Sequence, residues 1–236
     1  MTTVYFVGAG PGDPDLITVK GRRLLERADV LIYTGSLVNP DLVSLSGAPV
    51  KLNSHGMHLP ELLEAMESNA KQGKLVVRLH SGDPSLYGAI VEQIDGLAKR
   101  GVDVEIVPGV SSLFAAAAAL KTQLTLRGVS ETLIVTRPRG ETLEADALAE
   151  LSRHGATMAV FLGTGKLEEV VERVEYPPET PVAVVYHASW ADERVVTGTL
   201  SDIVEKVRAT GIERTALIII GGVVEPAGYT RSVLYT

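Results

Sequence analysis

Short runs of β-branched and other apolar residues alternate along the chain with longer stretches in which apolar positions recur every three or four residues. The first pattern predicts strands and the second amphipathic helices. "VYFVG" at Val4–Gly8 reads as a strand and "LITVKGRRLLERA" at Leu16–Ala28 as a helix. "DVLIYTG" gives a second strand, and "LPELLEAMESNAKQG" a helix with Pro60 in its first turn and Gly73 as its stop. "KLVVRLHSG" is a strand, "SLYGAIVEQIDGLAKRG" a helix beginning near Ser85, and "VDVEIVPG" a strand. Around Ser111–Lys121 the composition changes to "SSLFAAAAALK", a strong helix former of little side-chain bulk. The alternation then resumes. "TLIVTRPRG", "TMAVFLGTG", "TPVAVVYHAS" and "TALIIIGGVV" read as strands, and "EADALAELSRHG", "KLEEVVERV" and "SDIVEKVRATG" as helices. "ERVVTGTL" adds a strand in which Gly198 is expected to turn the chain. This order predicts an α/β protein with mostly parallel sheets covered on both faces. The change of composition near residues 109–122 predicts two α/β domains, 1–112 and 113–236.

Composition narrows the chemistry. A chain of 236 residues, 45% of them hydrophobic, can bury one large core or two smaller ones. The absence of cysteine excludes a disulfide framework, a thiolate metal site and a cysteine nucleophile. A net charge of −7 argues against a nucleic-acid partner, while leaving room for a local basic pocket. The apolar runs are too short to cross a bilayer, and the N-terminus enters a strand pattern without a basic leader, so no membrane partner and a cytoplasmic location are expected.

"GAGPGD" at Gly8–Asp13 looks like a phosphate loop and fails as one. A dinucleotide fingerprint needs glycine at its first, third and sixth positions, and the sixth here is Asp13; Pro11 also removes a backbone donor. No acidic residue ends the second strand, and no Gly-Lys-Ser/Thr follows; in "GTGKL" at Gly163–Leu167 the hydroxyl position is Leu167. Glycines at alternate positions fit a methyl-donor loop, although Phe6 stands where an acidic residue is usual. A tight strand-to-helix connection without a ligand fits equally well.

The wider pattern is more specific. "GAGPGDPDLIT" is followed by "HSGDPSLYG" at His80–Gly88 and "VPGVSS" at Val107–Ser112, each placing small residues where a strand is expected to end. Such carboxyl ends line the ligand crevice of α/β sheets, and small residues let backbone approach a ligand. "FLGTGK", "VYHAS" and "TALIIIG" occupy corresponding settings in the second half. Together these motifs resemble the tetrapyrrole methylase family over essentially the whole chain. Within it, "ADVLIYTGSLVNPDLV" and "SGDPSLYGAIVEQ" are most similar to the branch that methylates precorrin-4 or cobalt-precorrin-4 at C-11 in cobalamin synthesis. The uroporphyrinogen methylases typically carry "GGDP" and an aromatic-rich stretch instead.

The resemblance implies a bilobal fold, S-adenosylmethionine in its cleft, a tetrapyrrole substrate and a homodimer. Carried over by position, it implies donor contacts at Pro11, Ser81, Gly82, Asp83, Leu86, Ser111 and Ser112 in the first domain. In the second it implies Leu162, where relatives often have methionine, with Tyr186, Ala188, Thr215 and Ala216. Tyr33, Ser36 and Leu37 are expected to face the substrate. A sibling acting at another ring carbon, an RNA methylase of the same broad family and a donor-sensing domain without turnover are the rival readings.

Single residues keep two readings. Asp83 suits donor contact or the capping of a helix near Ser85, and Ser111 and Ser112 suit the donor or the cap of the alanine-rich helix. The substrate's carboxylates call for local positive charge, with Arg78, His80, Arg137, Arg139, Lys166 and His187 as candidates. Arg137 and Arg139 in "TRPRG" lead because Pro138 restricts their loop and arginine grips carboxylates bidentately. For any one of these side chains a solvated surface is the commoner role, because lysine and arginine mostly stay exposed. "SHGMH" at Ser54–His58 offers two histidines without carboxylate or thiolate company, so no metal is expected. Trp190 is expected to pack structurally or to stack on a ring. No catalytic acid or base is identifiable, and alignment in a dry site needs no side-chain nucleophile.

Overall fold

The structure, a computed structural model, describes residues 2–140 and 143–233, with the side chain of Ser36 outside the description. The chain divides into two compact units, Met1–Ser112 and Leu113–Thr236.

The first unit holds a five-stranded sheet. Its strands are β1 (Thr3–Gly8), β2 (Val30–Tyr33), β3 (Val50–Asn53), β4 (Val76–His80) and β5 (Asp103–Val107), in the spatial order β3-β2-β4-β1-β5. Every pairing in it is parallel. Helices α1 (Val19–Arg27) and α2 (Pro40–Leu45) cover one face; α3 (Leu59–Lys71) and α4 (Val91–Ala98) cover the other. The central strands are therefore apolar on both sides: Val4 and Phe6 face the α3/α4 layer, while Val7 faces the α1/α2 layer. Thr18 starts α1 by accepting from the Gly21 N–H, and His58 and Glu61 close a capping box on α3. A 3-10 turn at Pro14–Leu16 joins the glycine loop to α1.

One predicted helix is much shorter. Helicity begins at Val91, not near Ser85, because Tyr87 and Ala89 adopt φ of 58° and 47°. Gly88 is wound so tightly that a Cβ there would fall on the Pro84 carbonyl oxygen.

The second unit opens with α5 (Ser112–Ala119). Its strands are β6 (Leu133–Thr136), β7 (Thr157–Val160), β8 (Pro181–Tyr186), β9 (Arg194–Thr199) and β10 (Ala216–Ile220), in the order β6-β7-β10-β8-β9. Helices α6 (Leu148–Ser152), α7 (Leu167–Arg173) and α8 (Ile203–Arg208) pack on one face, and the alanines of α5 on the other. Here parallel pairing is confined to β6–β7, and the β7–β10, β10–β8 and β8–β9 pairs are antiparallel. The link from β8 to β9 is too short for a helical crossover, which takes about a dozen residues or more, so the two form a hairpin. Gly198 does not turn the chain: it lies within β9 opposite Val182, where a Cβ would fall on Asp202 Oδ1. Among the described residues, no helix is long and apolar enough to cross a membrane.

Candidate active site

In the first unit the three glycine-bearing motifs meet. The parallel register sets Gly8 beside His80 and Val7 beside Val107, so β4, β1 and β5 end together. Past those ends the backbones stay bonded. Ala9 N–H donates to the His80 carbonyl at 2.7 Å, Gly10 N–H to the Gly82 carbonyl at 3.2 Å, and Gly82 N–H back to Gly10 at 2.9 Å. A Cβ on Gly8 would lie 2.5 Å from Gly109 Cα and 2.7 Å from the Gly82 oxygen. Only glycine permits that approach, and nothing in the local pattern of "VPGVSS" singles out Gly109 for it.

Asp83 fastens the assembly. Its Oδ2 accepts from the Gly109 N–H at 2.8 Å, and its Oδ1 from the Ser85 N–H at 2.8 Å and from the Ser85 hydroxyl. Burial raises its pKa, but the bonds from the Ser85 side chain, the Gly109 backbone and the Ser85 backbone outweigh that and hold it below the ordinary value. Asp83 thus organises a turn, and the helix it was expected to cap begins further on. Pro11 and Ser111 are buried, and Ser81, Gly82, Leu86 and Ser112 are half-buried around the same junction.

On the α3/α4 face of β4, Arg78 and His80 are 5% and 3% exposed. Arg78 donates from Nη1 to Ser54 Oγ at 3.0 Å and from Nε to Gln93 Oε1 at 3.4 Å. Ser54 Oγ donates to the Tyr33 carbonyl at 3.0 Å, which ties this network to the end of β2. His80 lies 5.3 Å from the Phe6 ring between centroids, and its buried Nε2 has no hydrogen-bond partner. Burial, reinforced by the Arg78 charge, pushes the His80 pKa down to about 3, so its imidazole is neutral at physiological pH. Leu37 is exposed in a 3-10 turn at Gly35–Leu37; Ser36 belongs to the same turn, its side chain outside the described residues.

In the second unit, β10 runs antiparallel to β7 and β8, so its first residues lie beside their last. Ala216 pairs with Tyr186, Thr164 Oγ1 donates to the Ala216 carbonyl at 3.0 Å, and His187 N–H donates to the Thr215 carbonyl at 3.1 Å. Leu162, Tyr186, Ala188, Thr215 and Ala216 therefore gather at one end of this sheet. Arg137, following β6, stands at that end too. Tyr186 stacks on His187 with centroids 3.8 Å apart, and His187 on Trp190 at 4.9 Å. Arg194 lies 4.6 Å over the Tyr186 ring. Trp190 thus caps a stack of side chains. Arg139 is engaged elsewhere: its Nη2 is 3.6 Å from Glu169 and its N–H bonds Asp146.

Backbone strain marks the same segments. Among the described residues seven non-glycines have left-handed φ, and six of them are Tyr87, Ala89, Leu162, His187, Ser189 and Thr215. Such strain persists only where the surroundings fix it, and it concentrates at ligand sites. Among the described residues, no group of three or more histidines and carboxylates comes together as a metal site.

The sequence profile of the Tetrapyrrole (Corrin/Porphyrin) Methylases matches residues 3–204. The chain belongs to this family. As a tetrapyrrole methylase it is a methyltransferase, and its relatives agree in detail. It is 57% identical to the cobalt-precorrin-4 C(11)-methyltransferase of Methanocaldococcus jannaschii, covering 98% of this chain and 92% of that protein. The solved structure of the cobalt precorrin-4 methyltransferase CbiF matches with a TM-score of 0.92 at 44% identity, over 95% of this chain and 97% of that one. The uroporphyrin-III C-methyltransferase from Thermus thermophilus, complexed with S-adenosyl homocysteine, matches with a TM-score of 0.80 at 32% identity, over 94% and 93% of the two chains.

Proposed function

We propose that this tetrapyrrole methylase transfers a methyl group from S-adenosylmethionine to C-11 of precorrin-4 or its cobalt complex, in cobalamin synthesis. The observation that carries the reading is the near full-length agreement with relatives of that activity, in sequence and in structure. On this reading the donor is contacted by Pro11, Ser81, Gly82, Asp83, Leu86, Ser111 and Ser112 in the first unit, and by Leu162, Tyr186, Ala188, Thr215 and Ala216 in the second. The residues suit that ligand: neither set contains a lysine or arginine to repel a sulfonium, and Asp83 is an anion at neutral pH. Leu162, with most of its surface open, offers apolar surface to an adenine ring.

S-adenosylmethionine supplies the methyl group. The chain's part is to hold donor and ring in line, keep water out, and let backbone groups at the glycine junction do the orienting without a bulky side chain intervening. The same reading carries a homodimer in the cytoplasm, for which the family resemblance is the support.

The test is transfer of radiolabel from S-adenosylmethionine to precorrin-4, cobalt-precorrin-4 and uroporphyrinogen III in parallel. Transfer to one of the first two is expected. Transfer to uroporphyrinogen III alone, or to none, contradicts the reading.

A further inference from the structure

Arg78 is a buried cation whose partners are all neutral. It is 5% exposed, and the acceptors it reaches are Ser54 Oγ and Gln93 Oε1. Among the described residues no carboxylate is paired with it. Arg22, Arg100, Arg139, Arg153, Arg173 and Arg208 behave otherwise, each forming an ion pair with an aspartate or glutamate. Burial lowers its pKa to about 10, which leaves it charged at neutral pH. A guanidinium has five N–H donors, and among the described residues the hydrogen bonds to Ser54 and Gln93 leave its Nη2 end without a protein acceptor. Burying a charge without a counter-ion is costly, and a hydrophobic side chain of similar volume is often better for stability.

The surroundings orient the guanidinium. Gln93 is anchored through Nε2 to the Ala89 carbonyl at 2.9 Å, and Ser54 to the Tyr33 carbonyl at 3.0 Å. Ala89 has a left-handed φ of 47°, so the strained loop after Asp83 fixes one side of the guanidinium while the end of β2 fixes the other. The location is the carboxyl end of parallel β2, β3 and β4, the edge at which open α/β sheets take ligands.

We propose that Arg78 receives a peripheral carboxylate of the tetrapyrrole, with Ser54 and Gln93 holding its fork in plane. This rests on the methyltransferase reading above. The methyl donor also carries a carboxylate, but Arg78 is linked through Ser54 to Tyr33, where the segment expected to face the substrate begins.

The experiment compares wild type, Arg78→Met and Arg78→Lys in the full chain. Calorimetry gives Tm, isothermal titration gives Kd for S-adenosylhomocysteine, and absorbance titration gives Kd for precorrin-4, alongside turnover. Arg78→Met is expected to keep or raise Tm and to hold donor affinity within about twofold. Its precorrin-4 Kd should rise about tenfold or more, the scale of losing a hydrogen bond to a charged group, with Arg78→Lys in between. An unchanged precorrin-4 Kd overturns the assignment. So does weaker donor binding with precorrin-4 unaffected, which gives the carboxylate to the donor, and so does loss of folding in both variants, which makes Arg78 structural. Wild type that binds precorrin-4 without methylating it sinks the proposed reaction and leaves the Arg78 result standing on the binding data.

Discussion

The Asp83 carboxylate accepts a hydrogen bond from the Gly109 N–H, 2.8 Å away, and so clamps the turn after β4 to the turn after β5. Its other oxygen is held by Ser85. Asp83→Ala removes all of these bonds and leaves a half-buried donor unpaired, for a loss of about 2 kcal/mol on denaturant unfolding. Because the folded pKa of Asp83 lies below its ordinary value, its contribution is present above the unfolded carboxylate pKa. It is lost as pH falls through the lower folded value. Wild type and Asp83→Ala should therefore converge in stability in acid, which unfolding curves between neutral pH and strong acid would check.

Gly109 itself is predicted to be intolerant. A Cβ there would fall on the Gly82 carbonyl oxygen and lie 2.7 Å from Gly8 Cα, against backbone that cannot swing aside. Gly109→Ala should cost about 2–4 kcal/mol, as overpacking does when it shifts strands. Gly56→Ala, where a Cβ meets nothing within 4 Å but φ is +81°, should cost only about 1 kcal/mol. Equal losses in the two variants would refute the close-contact account.

The buried imidazole of His80 sets a different pH dependence. In the unfolded chain it takes up a proton as pH falls through about 6.5, whereas in the folded protein it does so only near 3. Between those values the unfolded state binds more protons, so stability decreases as the pH is lowered, by up to about 1.4 kcal/mol per unit from this group. His80→Phe keeps the contact with Phe6, removes the unpartnered Nε2 and should flatten that slope. Stability measured from pH 7 to pH 4 in both proteins tests it, and parallel slopes would count against the account.

Leu162 combines strain with exposure, having φ of 55° and 66% of its surface open. A side chain retained under those conditions fits a ligand better than a core. Leu162→Gly relieves about 1 kcal/mol of left-handed strain, so the free protein should be as stable or more stable. Its affinity for S-adenosylhomocysteine should fall severalfold if the side chain meets the donor. Calorimetry and titration on one preparation separate the two effects, and unchanged affinity would remove Leu162 from the donor set.

Much of the architecture was legible because apolar periodicity and core faces coincide in this chain. Val4–Gly8 and Ala216–Ile220 are strands because their residues are buried on both faces, which a continuous apolar run encodes directly. What the pattern hid was set by tertiary contacts. The segment from Ser85 to Ile90 keeps a helical period, yet the tight turn at Gly88 overrides it. β3 and α2 were missed because β3 is a largely exposed edge strand and α2 is short. The antiparallel pairings of the second unit follow from a short β8–β9 link and from where β10 inserts, neither of which periodicity reports.

The site was legible as motifs and less so as roles. Three glycine-bearing segments pointed to strand ends, but only their register shows Gly8, Gly82 and Gly109 in mutual contact. Arg78 stood among six basic candidates, and the arginines of "TRPRG" ranked ahead of it. Arg139 lies exposed beside Glu169, while Arg78 is buried with neutral partners, and the proposal for Arg78 rests on that difference. Its partners Ser54 and Gln93 come from distant parts of the sequence, and no local signal could have assigned them.

The most direct test of the central claim is the position of the transferred carbon. The purified protein would be incubated with precorrin-4 or cobalt-precorrin-4 and S-adenosylmethionine carrying a carbon-13 methyl group, and the product analysed by NMR. One new enriched methyl, attached at C-11, is the predicted result. Enrichment at any other ring carbon, or a tetrapyrrole left unlabelled while the donor binds, would contradict it.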